Sequence, residues 1–152
     1  MKRILTLLLA LLLIPIAVKA QGSGETRGDD KPETLATKAA ESWMKLWDAG
    51  KYKESYEKAA QDTRAVYTQR NWYVFWYASR RPLGDVKSRK QILAEHQKSL
   101  PSKPDQEAVI LIYEGKFENE ESIRETFVVF LEKDGTWRVW LYVNNLPLPS
   151  SR

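Results

Sequence analysis

Apolar side chains in the first half of the chain recur at the spacing of an α-helix. From residue 36 onwards they return every three or four positions and share one helical face: Ala36, Ala39, Ala40, Trp43 and Trp47. Gly50 follows this set as a helix C-cap would. A second, shorter set at Tyr52, Tyr56, Ala59 and Ala60 follows the tight connection D-A-G-K. The pattern therefore predicts a hairpin of two helices.

A third helix is predicted to begin near Asp62 or Thr63 and to end at about residue 79 or 80, because Pro82 cannot continue it. Five of the six residues at positions 72–77 are aromatic, against 11% of the whole chain. Three rings share one face of this helix with Ser79, and two lie on a neighbouring face: Trp72, Phe75 and Trp76 on the first, Tyr73 and Tyr77 on the second. Almost no side of this aromatic helix is expected to meet water.

The second half of the chain has the residue types and alternation of β-strands. Strands are predicted over Ala108–Lys116 and Ile123–Glu132, and Asp134-Gly135 predicts a hairpin turn into Trp137–Asn144. A three-residue loop at 133–135 gives the last two strands one wholly apolar face, whereas a two-residue turn mixes the two faces. The apolar face is then Phe127, Val129, Leu131, Trp137, Val139, Leu141 and Val143, and the amphipathic face is Thr126, Val128, Phe130, Glu132, Arg138, Trp140, Tyr142 and Asn144.

The segment Asp85–Lys98 is open to two interpretations. Val86, Ile92 and Ala94 fit one face of a strand, while K-Q-I-L-A-E-H-Q also suits a helix. The strand is favoured because the later segments form a sheet that lacks a partner. Three helices followed by three or four antiparallel strands predict one α+β domain over residues 34–147, with its helices packed on a curved sheet.

The N-terminus has the pattern of a cleavable secretory signal. Lys2 and Arg3 precede an apolar run over residues 4–16, and Ala20 ends a stretch suited to signal peptidase. An uncleaved anchor is less favoured, because the run is shorter than the ~20 residues that a bilayer needs. We therefore expect an exported protein, periplasmic or secreted, with a signal peptide at 1–20, a flexible linker at 21–33 and a disordered tail at 148–152.

Charge and composition exclude several classes of function. Removal of residues 1–20 takes away three of the 24 basic residues and none of the 20 acidic ones, which leaves a net charge of +1. Nucleic acid is therefore not an expected partner. The chain has no cysteine and only one histidine, His96. Disulfides, thiol chemistry and clustered histidine or cysteine metal sites are excluded, and no metal or cofactor is expected.

Several motifs follow one another in a recognisable order. They are W-x-x-x-W-D-A-G-K-Y, the aromatic helix, R-R-P-L-G-D-V-K-S-R, L-P-S-K-P-D and E-T-F-V-V-F-L-E-K-D-G-T-W-R-V. Over residues 35–143 this order resembles a bacterial exported family catalogued as domain of unknown function 4019, most specifically in P-L-G-x-V-x-S-R at Pro82–Arg89. Leu141 stands where the family pattern has glycine. The resemblance implies a cone similar to cystatin and nuclear transport factor two, in which a bent sheet encloses a pocket, and it brings no activity.

Two groups of residues are candidates for binding a small ligand. The aromatic helix could line a pocket for a flat or apolar molecule, or could simply be the core of the fold. Five basic residues within eleven positions, Arg80, Arg81, Lys87, Arg89 and Lys90, suit an anionic ligand. The alternatives for the basic group are charges at a helix end and a buried pairing of Arg89 with a carboxylate such as Glu125. The ligand-binding candidates are Trp72, Trp76, Tyr77, Arg81, Arg89 and Tyr113.

A non-enzymatic module that binds a ligand or another protein is the favoured function. The alternative is an isomerase or hydrolase of the same fold, in which a carboxylate facing the pocket serves as general base, with Glu125 and Asp85 as candidates. The amphipathic sheet face is too apolar for open water and predicts a homodimer through the sheet. The interface candidates are Val128, Phe130, Trp140 and Tyr142.

Overall fold

A computed structural model describes residues 30–145, and these fold into four α-helices, one short 3-10 helix and a four-stranded antiparallel sheet. The helices are α1 (Pro32–Asp48), α2 (Tyr52–Glu57), α3 (Gln61–Val66) and α4 (Gln69–Ser79), with the 3-10 helix at Arg81–Leu83. The strands are β1 (Val86–Gln97), β2 (Ala108–Phe117), β3 (Ile123–Leu131) and β4 (Trp137–Asn144), adjacent in chain order. The predicted α+β class is confirmed. The predicted signal peptide, most of the linker and the tail lie outside the described residues.

Helix α1 joins the helical layer to the sheet. Pro32 at its first position and Glu33 in its first turn suit a helix N-terminus. Its buried side chains are Ala36, Ala40, Trp43, Met44 and Trp47, and the helix contacts all four strands. Gly50 follows with a φ of 69°, a conformation that glycine adopts without strain. The first predicted helix is therefore confirmed.

Among residues 30–145, no helix combines the length and hydrophobicity needed to span a membrane.

The third predicted helix is divided in two. Tyr67 is extended (φ −101°, ψ 134°), and Thr68 then caps a new helix by accepting a hydrogen bond from Asn71 N at 3.2 Å. The preceding helix, α3, lies beside the edge of β4, where Ala60 N donates to Val139 O at 2.8 Å. A single straight helix could not both reach this edge and pack on α2, so the prediction of one helix is wrong at this point.

Helix α4 buries one face and exposes the other. Trp72 is buried and Phe75 is partly buried against the core, as the helical spacing predicts. Tyr73, Val74 and Tyr77 retain 37%, 57% and 48% of their surface. Because α4 packs on α2 and on the 3-10 helix, its outer side has no layer above it among the described residues. The expectation that almost no side of this helix meets water is wrong.

The uncertain segment Asp85–Lys98 forms strand β1, as favoured. Its partner is β2, with Leu93 opposite Ile112 and Ala94 opposite Leu111. The register shifts between Gln91 and Leu93, which is a β-bulge. The helical alternative for this segment is excluded.

The hairpin between β3 and β4 has the predicted three-residue loop. Glu132 N donates to Thr136 O at 2.8 Å, and Leu131 lies opposite Trp137. Further along β4, Val139 lies opposite Val129 but Leu141 lies opposite Val128, so Trp140 is an additional residue in this strand. The β-bulge reverses the alternation beyond it, which turns Tyr142 into the core and Val143 outwards. The predicted sides of Leu141, Tyr142, Val143 and Asn144 are therefore wrong.

The outer face of the sheet is covered at one end. Val128 and Phe130 are buried there in a cluster with Ala60, and the loop residue Leu100 packs against it. Trp140 stacks on Phe130, with ring centres 4.5 Å apart and an interplanar angle of 14°. The four predicted interface residues, Val128, Phe130, Trp140 and Tyr142, thus do not form one exposed patch.

Candidate functional site

Two arginines and two carboxylates meet where α1, α4, β1 and β3 converge. We call Asp48, Arg80, Arg89 and Glu125 the ion cluster. Arg89 Nε donates to Glu125 Oε2 at 2.5 Å, and Arg89 Nη2 donates to Glu125 Oε1 at 3.0 Å. This two-point geometry is the strongest form of an arginine–carboxylate pair. The buried pairing of Arg89 with Glu125, one of the two predicted alternatives, is confirmed.

Asp48 connects the two arginines. Its Oδ1 accepts a hydrogen bond from Arg80 Nε at 2.9 Å, and its Oδ2 accepts one from Arg89 Nη1 at 2.8 Å. Arg80 also donates from Nη1 to Gly84 O at 2.7 Å. Glu125 is fully buried and the Arg80 side chain is 4% exposed. The two positive and two negative charges balance, as a cluster at this depth requires.

The motif P-L-G-D-V-K-S-R positions Arg89 through packing. Leu83 is buried with Phe117 and Ile123 and holds the 3-10 helix against the sheet. Gly84 then turns the chain into β1 at a φ of 74°, where an added Cβ would lie 2.7 Å from Glu118 Oε2. Only glycine fits both the backbone conformation and the space at this turn. The most specific motif of the chain therefore has a structural function.

Gly115 and Phe117 shape the floor of the ion cluster. Gly115 lies opposite Arg89 in the sheet, and an added Cβ there would meet Phe117 Cε2 at 2.6 Å and Glu125 Oε2 at 3.2 Å. The Phe117 ring lies beneath both guanidinium groups, 5.0 Å from Arg80 and 5.6 Å from Arg89. Cation–π attraction adds to the ion pairs at such distances.

Tyr142 completes the polar network on the core side. Its Oη donates to Glu125 Oε1 at 3.0 Å, and Asn144 Nδ2 donates to Tyr142 Oη at the same distance. Burial and the negative charge of Glu125 raise the pKa of Tyr142. Burial alone would lower the pKa of Arg89, but its bonds to Asp48 and Glu125 outweigh burial and raise that pKa above its usual value. Arg89 is therefore permanently charged.

The two predicted catalytic carboxylates lie in different places, one buried and one exposed. Both oxygens of Glu125 accept hydrogen bonds, and the residue has no exposed surface. A general base must lie within hydrogen-bond reach of the substrate. Asp85 is exposed at the start of β1, outside the ion cluster.

A small cleft of about 240 Å³ adjoins the ion cluster between α1 and the sheet. Its lining includes Lys45, Arg89 and Tyr113. Four of the five N–H groups of Arg89 are already donated to Asp48 and Glu125. Tyr113 Oη donates to Gln91 Oε1 at 3.1 Å, and burial, with the nearby charge of Glu41, raises the pKa of Tyr113 to about 12. Arg89 therefore has one N–H group left to offer an anion in this cleft.

A larger cleft of about 570 Å³ lies between α1, α2 and the start of β4. Trp43, Trp137 and Val139 are among its apolar lining, and Lys58 and Arg138 are among its charged lining. None of the predicted ligand-binding residues lines it.

The six predicted ligand-binding residues do not converge on one site. Trp72 Nε1 donates to Ser55 Oγ at 3.0 Å and Trp76 Nε1 to Trp47 O at 2.8 Å, so these indoles belong to the core. Arg81 stacks on the exposed ring of Tyr77, with its guanidinium 4.5 Å from the ring centre. Arg89 and Tyr113 line the small cleft on the other side of the helical layer.

Sequence reasoning missed Asp48, the residue that links the two arginines. One signal was present, because an acidic residue at the end of a helix faces the negative end of the helix dipole. Such a residue needs a compensating positive partner.

The single histidine, His96, lies with Nε2 2.8 Å from Glu107 Oε1. Within residues 30–145, no group of three or more acidic, histidine or cysteine side chains could hold a metal ion.

The family suggested by the motif order is found by direct comparison. Residues 39–142 match the model of the family described as "Protein of unknown function (DUF4019)". Neither a curated protein nor a solved structure matches the chain.

Proposed function

The chain belongs to the DUF4019 family of proteins of unknown function, and from its own surfaces we propose that it is an exported, non-enzymatic interaction module that forms homodimers through the open part of its sheet. The observation that carries this proposal is an apolar row on the outer sheet face. The ion cluster supports the non-enzymatic part of the proposal, because Glu125, the candidate general base, is buried and bound to Arg89 and Tyr142.

The sheet patch consists of Ile92, Leu93, Ile112 and Val143. Leu93 lies opposite Ile112, Ile112 opposite Thr126, and Thr126 opposite Val143, so these four residues form one row across the strands, and Ile92 lies next to the row at the β-bulge. Ile92, Leu93 and Val143 retain 46%, 38% and 45% of their surface. The core cluster that joins the sheet to α1 and α4 lies on the opposite face. Ile112 and Thr126 lie half-buried between these exposed side chains. An apolar surface of this kind is typical of an association surface.

A second copy of the chain is the occupant that the charges beside this row favour. Lys90 lies opposite Glu114 and Glu95 lies opposite Ile110, one alternate position to either side of Leu93. A two-fold axis along the row brings Lys90 of each copy over Glu95 of the other while the apolar side chains meet. A two-fold interface must be self-complementary. This arrangement is self-complementary because it forms two equivalent Lys90–Glu95 pairs, one on each side of the axis.

Light scattering on the mature chain, residues 21–152, tests the proposal. At tens of micromolar we expect the mass of a dimer, and Leu93→Glu is expected to reduce it to that of a monomer, because two buried carboxylates would oppose each other. Val74→Glu, a comparable change on the exposed face of α4, is the control and should leave the dimer intact. A wild-type monomer, or a Leu93→Glu dimer, would refute the proposal.

Export is the second part of the proposal. It rests on the basic, apolar and small-residue order of residues 1–20. Expression of the full chain in a bacterial host, followed by osmotic shock and intact-mass measurement, should give a periplasmic protein that begins at residue 21. A full-length protein that stays with the cytoplasmic or membrane fraction would contradict export and leave the dimer proposal untouched.

A further inference from the structure

The outer side of α4 carries a row of exposed residues with an arginine at each end. We call Arg70, Tyr73, Val74, Tyr77 and Arg81 the helix stripe, and all five are exposed. The four that belong to α4 have the spacing i, i+3, i+4 and i+7, so they share about 100° of the helix circumference, away from the core. Arg81 follows the helix and stacks on Tyr77, with its guanidinium 4.5 Å from the ring centre.

The charge of this surface has one sign. Residues 63–84 contain four arginines and no acidic residue. Arg80 is paired with Asp48 in the ion cluster. Arg70 and Arg81 take part in no ion pair within residues 30–145. The helix stripe is therefore a positively charged surface that attracts anions.

The position of Arg70 is not explained by the stability of α4. It is the second residue of the helix, where the positive end of the helix dipole disfavours a positive charge, and no acidic residue stands in this first turn. An uncharged or acidic residue would stabilise the helix better at this position. The charge of Arg70 is thus available to a binding partner.

We propose that the helix stripe binds the surface of an anionic phospholipid bilayer. Tyrosine is enriched at the boundary between headgroups and acyl chains, because its ring is apolar and its hydroxyl is polar. Val74 lies between the two tyrosines and would enter the same boundary. Arg70 and Arg81 would bind lipid phosphates on either side, as basic residues do in helices that lie on a membrane surface.

The shape of the helix stripe favours a bilayer over an acidic protein. The rings of Tyr73 and Tyr77 are in contact, with centres 6.0 Å apart, so the stripe is a continuous ridge. Helix α4 has eleven residues and is about 16 Å long. A stable protein interface buries about 800 Å² on each partner, which is more than one side of so short a helix provides. A fluid bilayer adapts to a narrow ridge and requires no matching groove.

Helix α2, which packs beside α4, does not reverse the positive charge. Its Tyr52 lies against Tyr73, with ring centres 4.6 Å apart. Its Glu54 is 3.8 Å from Lys51, so this carboxylate has a positive partner of its own. Residues 51–58 contain three lysines and two glutamates. The neighbouring surface therefore adds no net negative charge.

Cosedimentation with lipid vesicles tests the proposal. Every chain spans residues 21–152 and carries Leu93→Glu, so that the result does not depend on the sheet patch. We expect binding to vesicles of equal parts phosphatidylcholine and phosphatidylglycerol, weaker binding as the salt concentration rises, and no binding to phosphatidylcholine alone. Arg70→Gln and Arg81→Gln should each weaken binding about fivefold, and the two together about 25-fold.

A matched control separates the helix stripe from net charge. Arg124→Gln with Lys133→Gln removes the same charge from exposed positions on the sheet and its hairpin loop. This control should change the binding less than about twofold, because charges beyond the screening distance contribute little.

A fluorescent label shows which surface meets the lipid. The chain has no cysteine, so a single introduced one can be labelled. A polarity-sensitive dye at Ala78→Cys, on the exposed side of α4, should shift its emission to the blue when mixed vesicles are added. The same dye at Lys133→Cys should not respond. Val74→Glu should abolish the response at Ala78→Cys, because it places a carboxylate in the middle of the stripe.

Each contrary result overturns the proposal in a different way. Chains that ignore the mixed vesicles would exclude lipid binding. An equal loss of binding in the control with Arg124→Gln and Lys133→Gln, or a dye response at position 133 and not at position 78, would exclude the helix stripe. Binding to a glutamate–tyrosine copolymer but not to vesicles of the same charge concentration would assign the stripe to an acidic protein.

Discussion

Replacement of Arg89 by methionine removes the centre of the ion cluster while preserving much of the side-chain volume. Arg89 supplies two hydrogen bonds to Glu125 and two to Asp48. In the variant Asp48 keeps Arg80, and its side chain is 23% exposed. Glu125 keeps only the hydroxyl of Tyr142 and has no access to water. The loss of folding free energy therefore comes from one buried carboxylate that no longer has a positive partner.

The expected loss of stability follows from this difference between Asp48, which keeps a positive partner, and Glu125, which does not. Loss of one partner from a buried ion pair costs about 3–5 kcal/mol, because the remaining charge is left uncompensated. For a domain of this size the loss corresponds to a fall of about 10–20 °C in Tm. The matched control is Arg81→Met, which changes an exposed arginine on the neighbouring turn and should cost about 0.5 kcal/mol or less.

Urea unfolding followed by tryptophan fluorescence and circular dichroism measures both costs. A double variant, Arg89→Met with Glu125→Gln, removes the stranded charge and should recover part of the stability that Arg89→Met loses. A cost below about 1 kcal/mol for Arg89→Met, or a double variant less stable than the single one, would refute the structural interpretation of the cluster.

Three further changes test other parts of the fold. Because burial raises the pKa of Tyr113 from 10.0 to about 12, the stability that its neutral phenol contributes is present below pH 10 and lost as the pH rises towards 12. Urea midpoints should thus fall less steeply for Tyr113→Phe than for the wild type between about pH 9 and 11.5, and parallel curves would contradict this. Gly84→Ala should cost at least about 1 kcal/mol more than Gly135→Ala, since both have positive φ but only Gly84 is crowded; equal unfolding free energies would contradict this. Thr68→Ala should cost about 1 kcal/mol and speed amide exchange at the start of α4, whereas unchanged exchange would exclude its capping function.

Periodicity was sufficient for most of the fold. The helical face of α1 and the β-branched residues of β2 and β3 predict their elements directly, because each pattern reflects which side is buried. The assignment of β1 required one further argument, that the sheet lacked an edge partner. Such segments are decided by tertiary contacts and not by their own composition.

The errors arose where one residue changes the local geometry. The bulge at Trp140 is not marked by glycine or proline, so the alternation of the sequence runs through it and predicts the wrong face for Tyr142. The break at Tyr67 was hidden because Thr68 is compatible with a helix interior as well as with a cap. The exposed face of α4 depends on what packs above the helix, which periodicity alone does not reveal.

The polar site was predictable only in part. The pairing of Arg89 with Glu125 could be foreseen as one alternative, although the two residues lie on β1 and β3 and meet across Gly115 of β2. Asp48 joins them only through the approach of the end of α1 to β1, a tertiary contact. The sheet patch could not be located before the bulge was known, since the bulge is what turns Val143 outwards.

Charge exchange between Lys90 and Glu95 tests the two-fold sheet interface most directly. Sedimentation equilibrium should show that Lys90→Glu and Glu95→Lys each weaken the dimer about tenfold, because each places two pairs of like charges across the axis. The double variant, with both charges exchanged, should restore the wild-type affinity. Single variants that dimerise like the wild type, or a double variant weaker than either single one, would contradict this interface.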